Sequence, residues 1–262
     1  MNLKVYIPIN KALPFDSVRL AYSTSKEKKI VTTPPFGKPA ILLFLNPNSV
    51  NNYSSTSKGV LLGQHTQPLL LDLNENFKVM AFHLKPYALK QLFDIDASQL
   101  TNKYVSLNDV KLIQSLYELV LKNIESEKQL IHEIDNFFQS AKLHQVSYEV
   151  EAFINYLQTN KPASISKMVK EIGITERNLE RKFKAEVGLT PKKYIQITRV
   201  FQIVEQLHED ADWQQIVYDN NYADQAHFIN EFKKYANIAP GLYVRKGLTH
   251  SKQLPPFSTF EI

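Results

Sequence analysis

The chain has no cysteine among its 262 residues, which removes disulfides, thiolate nucleophiles and cysteine-ligated zinc together and fits a reducing compartment. Its seven glycines are too few and too scattered for a phosphate-cradling loop, and no Ser/His/Asp spacing or metal cluster is legible, so no catalytic residue and no cofactor is expected. Long apolar runs are missing as well. None approaches the ~20 residues of a membrane span, and the start Met1-Asn2-Leu3-Lys4 lacks the apolar core of a secretion signal, so a cytoplasmic protein without membrane contact is expected. Lys and Arg are absent from Val200 to Phe232, where Glu205, Glu209, Asp210, Asp212, Asp219, Asp224 and Glu231 are all acidic. The preceding stretch is the reverse: Arg177, Arg181, Lys182, Lys184, Lys192, Lys193 and Arg199 stand against only Glu180 and Glu186. With a net charge of +5 overall, a polyanionic partner would meet the chain unevenly.

What is present is ordinary globular material: 44% of residues are hydrophobic, with 15 Phe and 13 Tyr, in a length that suits two domains. Up to about residue 105 the runs Ala40 to Leu45, Pro68 to Leu73 and Phe77 to Leu84 are short, rich in branched and aromatic residues, and broken by Pro, Asn and Gly, as strands are. In the last of these runs Phe77, Val79 and Ala81 alternate with Lys78 and Met80, as on a strand with two different faces; Asn74-Glu75-Asn76 between two of the runs predicts a hairpin, and Pro86 opens a short helix through Phe93. After Leu107 the spacing turns helical, in runs from Val110 to Ile124, Leu130 to Phe138 and Val150 to Leu157, with Pro162 marking a boundary. The two runs between Asn108 and Leu143 have one apolar face each, which fits either a dimer interface or packing against the β-rich half.

Compared with itself, the chain repeats at an offset of 49: Leu179, Phe183, Lys184, Gly188, Pro191 and Tyr194 return as Phe228, Phe232, Lys233, Asn237, Pro240 and Tyr243. Each set follows a short amphipathic segment and a turn, Gly173-Ile174-Thr175 in the first copy and Asn221-Tyr222-Ala223-Asp224 in the second, where Thr175 and Asp224 suit a helix N-cap. Each copy therefore reads as helix, tight turn, helix. Leu179 with Phe183, and Phe228 with Phe232, share one helix face, which leaves Arg177, Glu180, Arg181 and Lys184 outward in one copy and Gln225, Ala226, Ile229 and Asn230 outward in the other. Glu180 equally suits an ion pair with Lys184. Thr190 and Pro191 start a helix between the copies, with Tyr194, Ile197, Val200, Phe201, Val204 and Leu207 as its apolar stripe.

From Ser147 to Lys246 these residues resemble the AraC/XylS family of bacterial transcription regulators. The pattern stands as Leu179-x-Arg181-x-Phe183-Lys184 with Gly188 and Tyr194, then Ile216-Val217, Asp224-x-x-His227-Phe228-x-x-x-Phe232-Lys233-Lys234, and Pro240-x-x-Tyr243-x-Arg245. It departs from the family at Asn221-Tyr222, where Gly-Phe is usual, at Asn237 for a common Gly, and at Asn230 for a common Arg. The resemblance implies a sequence-specific DNA-binding transcription regulator, activator or repressor, rather than an enzyme. It places base and phosphate contacts on Arg177, Glu180 and Arg181 and on Gln225, Ala226, Ile229 and Asn230, with Lys182, Lys184, Lys192, Lys193 and Lys233 as further cations at the DNA.

The N-terminal half, from about Tyr6 to Asp109, more weakly resembles the small cupin-like β-barrel sensor domains of such regulators through Gly63-Gln64-His65, Phe82-His83-Leu84, Pro86 and Leu100-Thr101-Asn102-Lys103. No His-x-His pair with a carboxylate stands near His65 or His83, so no metal is expected. The expected fold is α+β: a β-barrel-like sensor or dimerisation domain over 1–105, a helical connector over 106–145, an all-α domain of two helix-turn-helix units joined by a linker helix over 146–247, and a tail over 248–262. Promoter DNA, RNA polymerase, a small-molecule effector and a second copy of the chain are the expected partners. A protein-interaction module without DNA binding, and a barrel enzyme with an appended helical domain, are the competing readings.

Overall fold

The computed structural model describes residues 2–8, 10–24, 26, 28–46, 49–51, 53, 58–160, 164–207, 212–220 and 222–245. Pro162, Asn221 and the tail from 248 onward, each singled out above, lie outside the described residues.

The N-terminal half is antiparallel β. Strands β1 (Asn2–Tyr6), β2 (Phe15–Tyr22), β4 (Ala40–Phe44), β5 (Gly59–Leu62), β7 (Lys78–Leu84) and β8 (Tyr104–Ser106) form one sheet in the order β1-β2-β7-β4-β5-β8, and β3 (Lys29–Thr33) pairs with β6 (Leu69–Leu73) in a second. One face of the large sheet, with Ala21, Leu42, Val60 and Val79, closes against Val31, Leu71, Leu73 and Phe77. The other face, with Phe15, Val18, Ile41, Leu43, Met80 and Phe82, is covered by two helices, α2 (Lys111–Asn123) and α3 (Glu127–Ser140). Their apolar stripes, Ile113, Leu116 and Val120 on one and Leu130, Ile134 and Phe138 on the other, are buried there. Of the two uses open to these helices, packing on the β-rich half therefore occupies their apolar faces.

Two expectations need correcting. The runs flanking Asn74-Glu75-Asn76 do not form a hairpin: β6 pairs with β3, whereas β7 pairs with β2 and β4. Asn76 does turn the chain, at φ +51°, but the turn carries it from one sheet to the other. The alternation along Phe77 to Met80 also does not separate inside from outside. Phe77, Val79, Met80 and Phe82 are all buried, because β7 is a central strand covered on both faces.

From residue 148 the described chain is helical: α4 (Tyr148–Thr159), α5 (Ile165–Ile172), α6 (Glu176–Val187), α7 (Pro191–Gln206), α8 (Trp213–Asp219), α9 (Gln225–Ala236) and α10 (Pro240–Arg245), with the short α1 (Ala88–Phe93) back in the β-rich half. One continuous core joins α4 to α10. The halves meet where the 3-10 turn Ala97–Leu100 and α1 lie against α6, and there Thr101 Oγ1 donates to the Gly188 carbonyl at 2.6 Å.

Candidate nucleic-acid interface

The 49-residue repeat is a repeat of structure. In the first unit Thr175 Oγ1 accepts from the Asn178 N–H at 3.3 Å and starts α6; in the second Asp224 Oδ1 accepts from the His227 N–H at 2.7 Å and starts α9. Leu179 and Phe183, and their counterparts Phe228 and Phe232, are wholly buried against α5 and α8 respectively. Both helices end on a left-handed residue whose N–H bonds back four residues, Gly188 (φ +89°) to Lys184 and Asn237 (φ +56°) to Lys233. Asparagine thus does in the second copy what glycine does in the first. Pro191 and Pro240 then open α7 and α10, and Tyr194 and Tyr243 each turn a ring edge toward the repeat phenylalanine, 5.3 Å from Phe183 and 5.5 Å from Phe232.

With those faces buried, the opposite faces are solvent-exposed. Arg177, Glu180, Arg181 and Lys184 line an open groove with Thr175, Asn178 and Thr190, and Arg181 Nη2 is steadied by Asn178 Oδ1 at 3.2 Å. Glu180 makes no ion pair with Lys184. On α9, Gln225, Ala226, Asn230 and Lys233 are exposed and Ile229 is half-buried against the core. Lys192 stands exposed at the start of α7, whose Thr190 cap accepts from the Lys193 N–H at 3.2 Å. Two of the expected cations are engaged within the protein. Lys182 pairs with Glu149 of α4 at 2.8 Å, and the Lys193 ammonium lies 4.8 Å from the centre of the Tyr235 ring, where burial and the neighbouring Lys234 lower its pKa.

The linker α7 buries Tyr194, Ile197, Val200, Val204 and Leu207 as its spacing predicts, together with Ile203, which the stripe omitted. Phe201 instead faces the β-rich half, where its ring lies 6.3 Å from Phe36. Sequence reasoning also missed Glu186: its buried carboxylate accepts from the N–H of Ser147 at 2.9 Å and from the Ser147 hydroxyl, tying the start of α4 to α6. An acidic residue on a helix reads as surface, and no local signal marks this one as a core anchor.

The β-rich half contains a largely apolar cavity of about 70 Å³ between its two sheets, lined by Leu42, Leu62, Leu71 and Phe77 among others, with Arg19, Thr33, Lys38, His65 and His83 as its polar members. One water occupies ~10–15 Å³ of such space, so several waters or a small molecule fit. His83 is buried with its Nδ1 3.1 Å from Ser17 Oγ, and burial, with Arg19 and Lys38 nearby, keeps its pKa well below the ordinary value. Arg19, Phe36 and Lys38 border both this cavity and a wider cleft between the halves, one wall of which is the Tyr194, Thr198 and Phe201 face of α7.

Two helix-turn-helix units on one frame, each with a polar face turned to solvent, have the form that fits a helix into a DNA major groove. Residues 168–246 match a family model described as a helix-turn-helix domain, and residues 19–106 match one described as a domain of unknown function. The lactose operon transcription activator of Staphylococcus xylosus is 24% identical over 149 residues, 56% of this chain and 50% of that protein, so the chain spans half the length of that relative. The HTH-type transcriptional activator RhaS of Mannheimia succiniciproducens is 24% identical over 229 residues, 77% of this chain and 76% of that one. Among solved structures, ToxT from Vibrio cholerae aligns over 87% of this chain and 97% of its own at 15% identity, with a TM-score of 0.48. Residues 168–246 are thus similar to helix-turn-helix domains, and both of these relatives are named as transcription activators.

Proposed function

We propose that the protein is a sequence-specific transcription activator of the cytoplasm that places α6 and α9 in successive major grooves of one operator, about one helical turn or ~34 Å apart. The observation that carries this reading is the exact recurrence of cap, buried pair, left-handed terminus and proline in two units with their polar faces open. Arg177 and Arg181 suit guanine, Gln225 and Asn230 suit adenine, and Ala226 and Ile229 offer apolar contact to a thymine methyl. Glu180 suits a cytosine amino group, while Lys184, Lys192 and Lys233 hold phosphates; Lys182 and Lys193 reach DNA only by leaving Glu149 and Tyr235. The cavity in the β-rich half suits a small effector, with Phe36 as the link from it to α7. RNA polymerase and a second copy of the chain are the further partners of this reading.

Selection of bound sequences from random duplex DNA tests it: an asymmetric site with two short motifs one turn apart is expected, and no enrichment would leave an interaction module as the better account. On the selected site, Arg181→Ala should lose ~1–3 kcal/mol of affinity and relax the preference at one base pair. Lys192→Ala should weaken selected and random DNA alike and flatten the salt dependence by about one unit in log–log slope. Equal losses on selected and random DNA for Arg181→Ala would remove it from base reading.

A further inference from the structure

Each unit is tied to the helix that precedes it by an ion pair, and the two pairs have opposite polarity. In the first, Glu149 on α4 holds Lys182 on α6 at 2.8 Å. In the second, Arg199 on α7 holds Glu231 on α9 at 2.5 Å, with side chains 18% and 8% exposed. Lys182 and Glu231 are the same position of the repeat, 49 residues apart, and Glu149 and Arg199 fall within one residue of that offset. The second pair is the more enclosed. The Arg199 guanidinium carbon lies 4.3 Å from the centre of the buried Tyr222 ring, which packs edge-on against Phe228 at 5.5 Å. One turn along α9 from Glu231, the Tyr235 hydroxyl donates to Gln196 of α7 at 3.3 Å.

Arg199 is thereby engaged inside the domain through its Nη2, and no other Lys or Arg stands between it and Lys233. A buried ion pair adds little net stability, since desolvation opposes the attraction. It does restrict geometry: apolar side chains tolerate rotation of one helix on another, whereas a guanidinium held between a carboxylate and an aromatic face accepts few arrangements.

We propose that Arg199, Glu231 and Tyr222 form a latch that fixes the rotation of the second reading helix on the linker helix, and so sets the register between the two units. These are positioning residues, and their effect on DNA rests on the two-groove reading above. Spin labels on Lys170→Cys in α5 and Tyr218→Cys in α8, both exposed and introduced into a chain without native cysteine, report the register without DNA. The expected result is one narrow distance distribution that Glu231→Gln broadens, that Tyr222→Leu broadens, and that Tyr222→Phe, which keeps the ring, leaves narrow. On the selected operator, Glu231→Gln should cost about tenfold or more in affinity, the size of one base contact, while binding to the first half-motif alone is unchanged. Thermal melts confirm that each variant is folded at the temperature used. A narrow distribution with full operator affinity in Glu231→Gln overturns the latch, as does an equal loss on the first half-motif. If the unaltered protein recognises no two-part site, the functional reading fails, and the distance measurement still decides the latch.

Discussion

Phe183→Ala should lower the stability of the protein by ~3–5 kcal/mol, the largest effect expected of any single side-chain truncation in the first unit. The ring is wholly buried and meets Phe153 of α4 at 5.5 Å and Tyr194 of α7 at 5.3 Å, both edge to face. It is therefore the point where three helices share one side chain, and a cavity there cannot collapse without moving α6 itself. Denaturant unfolding with unchanged m-value measures the loss. Arg177→Ala, two turns away on the exposed face of the same helix, should stay within ~0.5 kcal/mol, so a similar loss in both variants would contradict the assignment of inner and outer faces.

Gly63→Ala should do comparable damage in the β-rich half for a different reason. A Cβ at Gly63 would lie 2.0 Å from the carbonyl oxygen of Leu100, and both partners are pinned: the Gly63 N–H donates to the Lys103 carbonyl at 3.1 Å and the Asn102 N–H to the Gln64 carbonyl at 2.8 Å. Backbone has no rotamer with which to yield, so the cost should reach or exceed the ~1–3 kcal/mol of ordinary overpacking. A calorimetric melt reads it directly, and a midpoint within a degree of the unaltered protein would show that the strand end is free to move.

The helices, both caps and both exposed helix faces are legible because they depend on local spacing. Leu179 and Phe183 four apart, a threonine or aspartate before them and a glycine or asparagine after them specify a helix with ends and an inside, and the repeat made each copy a control for the other. The sheet was less legible because strand partners are chosen at a distance. Asn74-Glu75-Asn76 correctly signals a turn, yet nothing local says that the next strand joins β2 and β4 in place of β6. The alternation puts Met80 on the face opposite Val79 and Ala81, and only the distant helices α2 and α3 make that face an inside one. The candidate interface shows the same division. Its exposed residues were predicted from one helix at a time, while the engagement of Lys182 with Glu149, Lys193 with Tyr235 and Arg199 with Glu231 depends on neighbours 33, 42 and 32 residues away, and the acidity of Val200 to Phe232 concealed that Glu231 is a core residue.

The seam at Thr101 and Gly188 has a consequence for anyone who would recombine these parts. The carbonyl that terminates α6 is capped by a hydroxyl from the other half of the chain, and the turn beginning at Ala97 covers the same helix end. The β-rich and helical halves are thus joined through a shared surface as well as through a peptide link. A chimaera that joins residues 146–245 to a foreign N-terminal half would leave that helix end bare to water unless the donor brought its own equivalent of the 97–101 turn, and compatible donors are those whose corresponding turn ends in a hydroxyl-bearing residue.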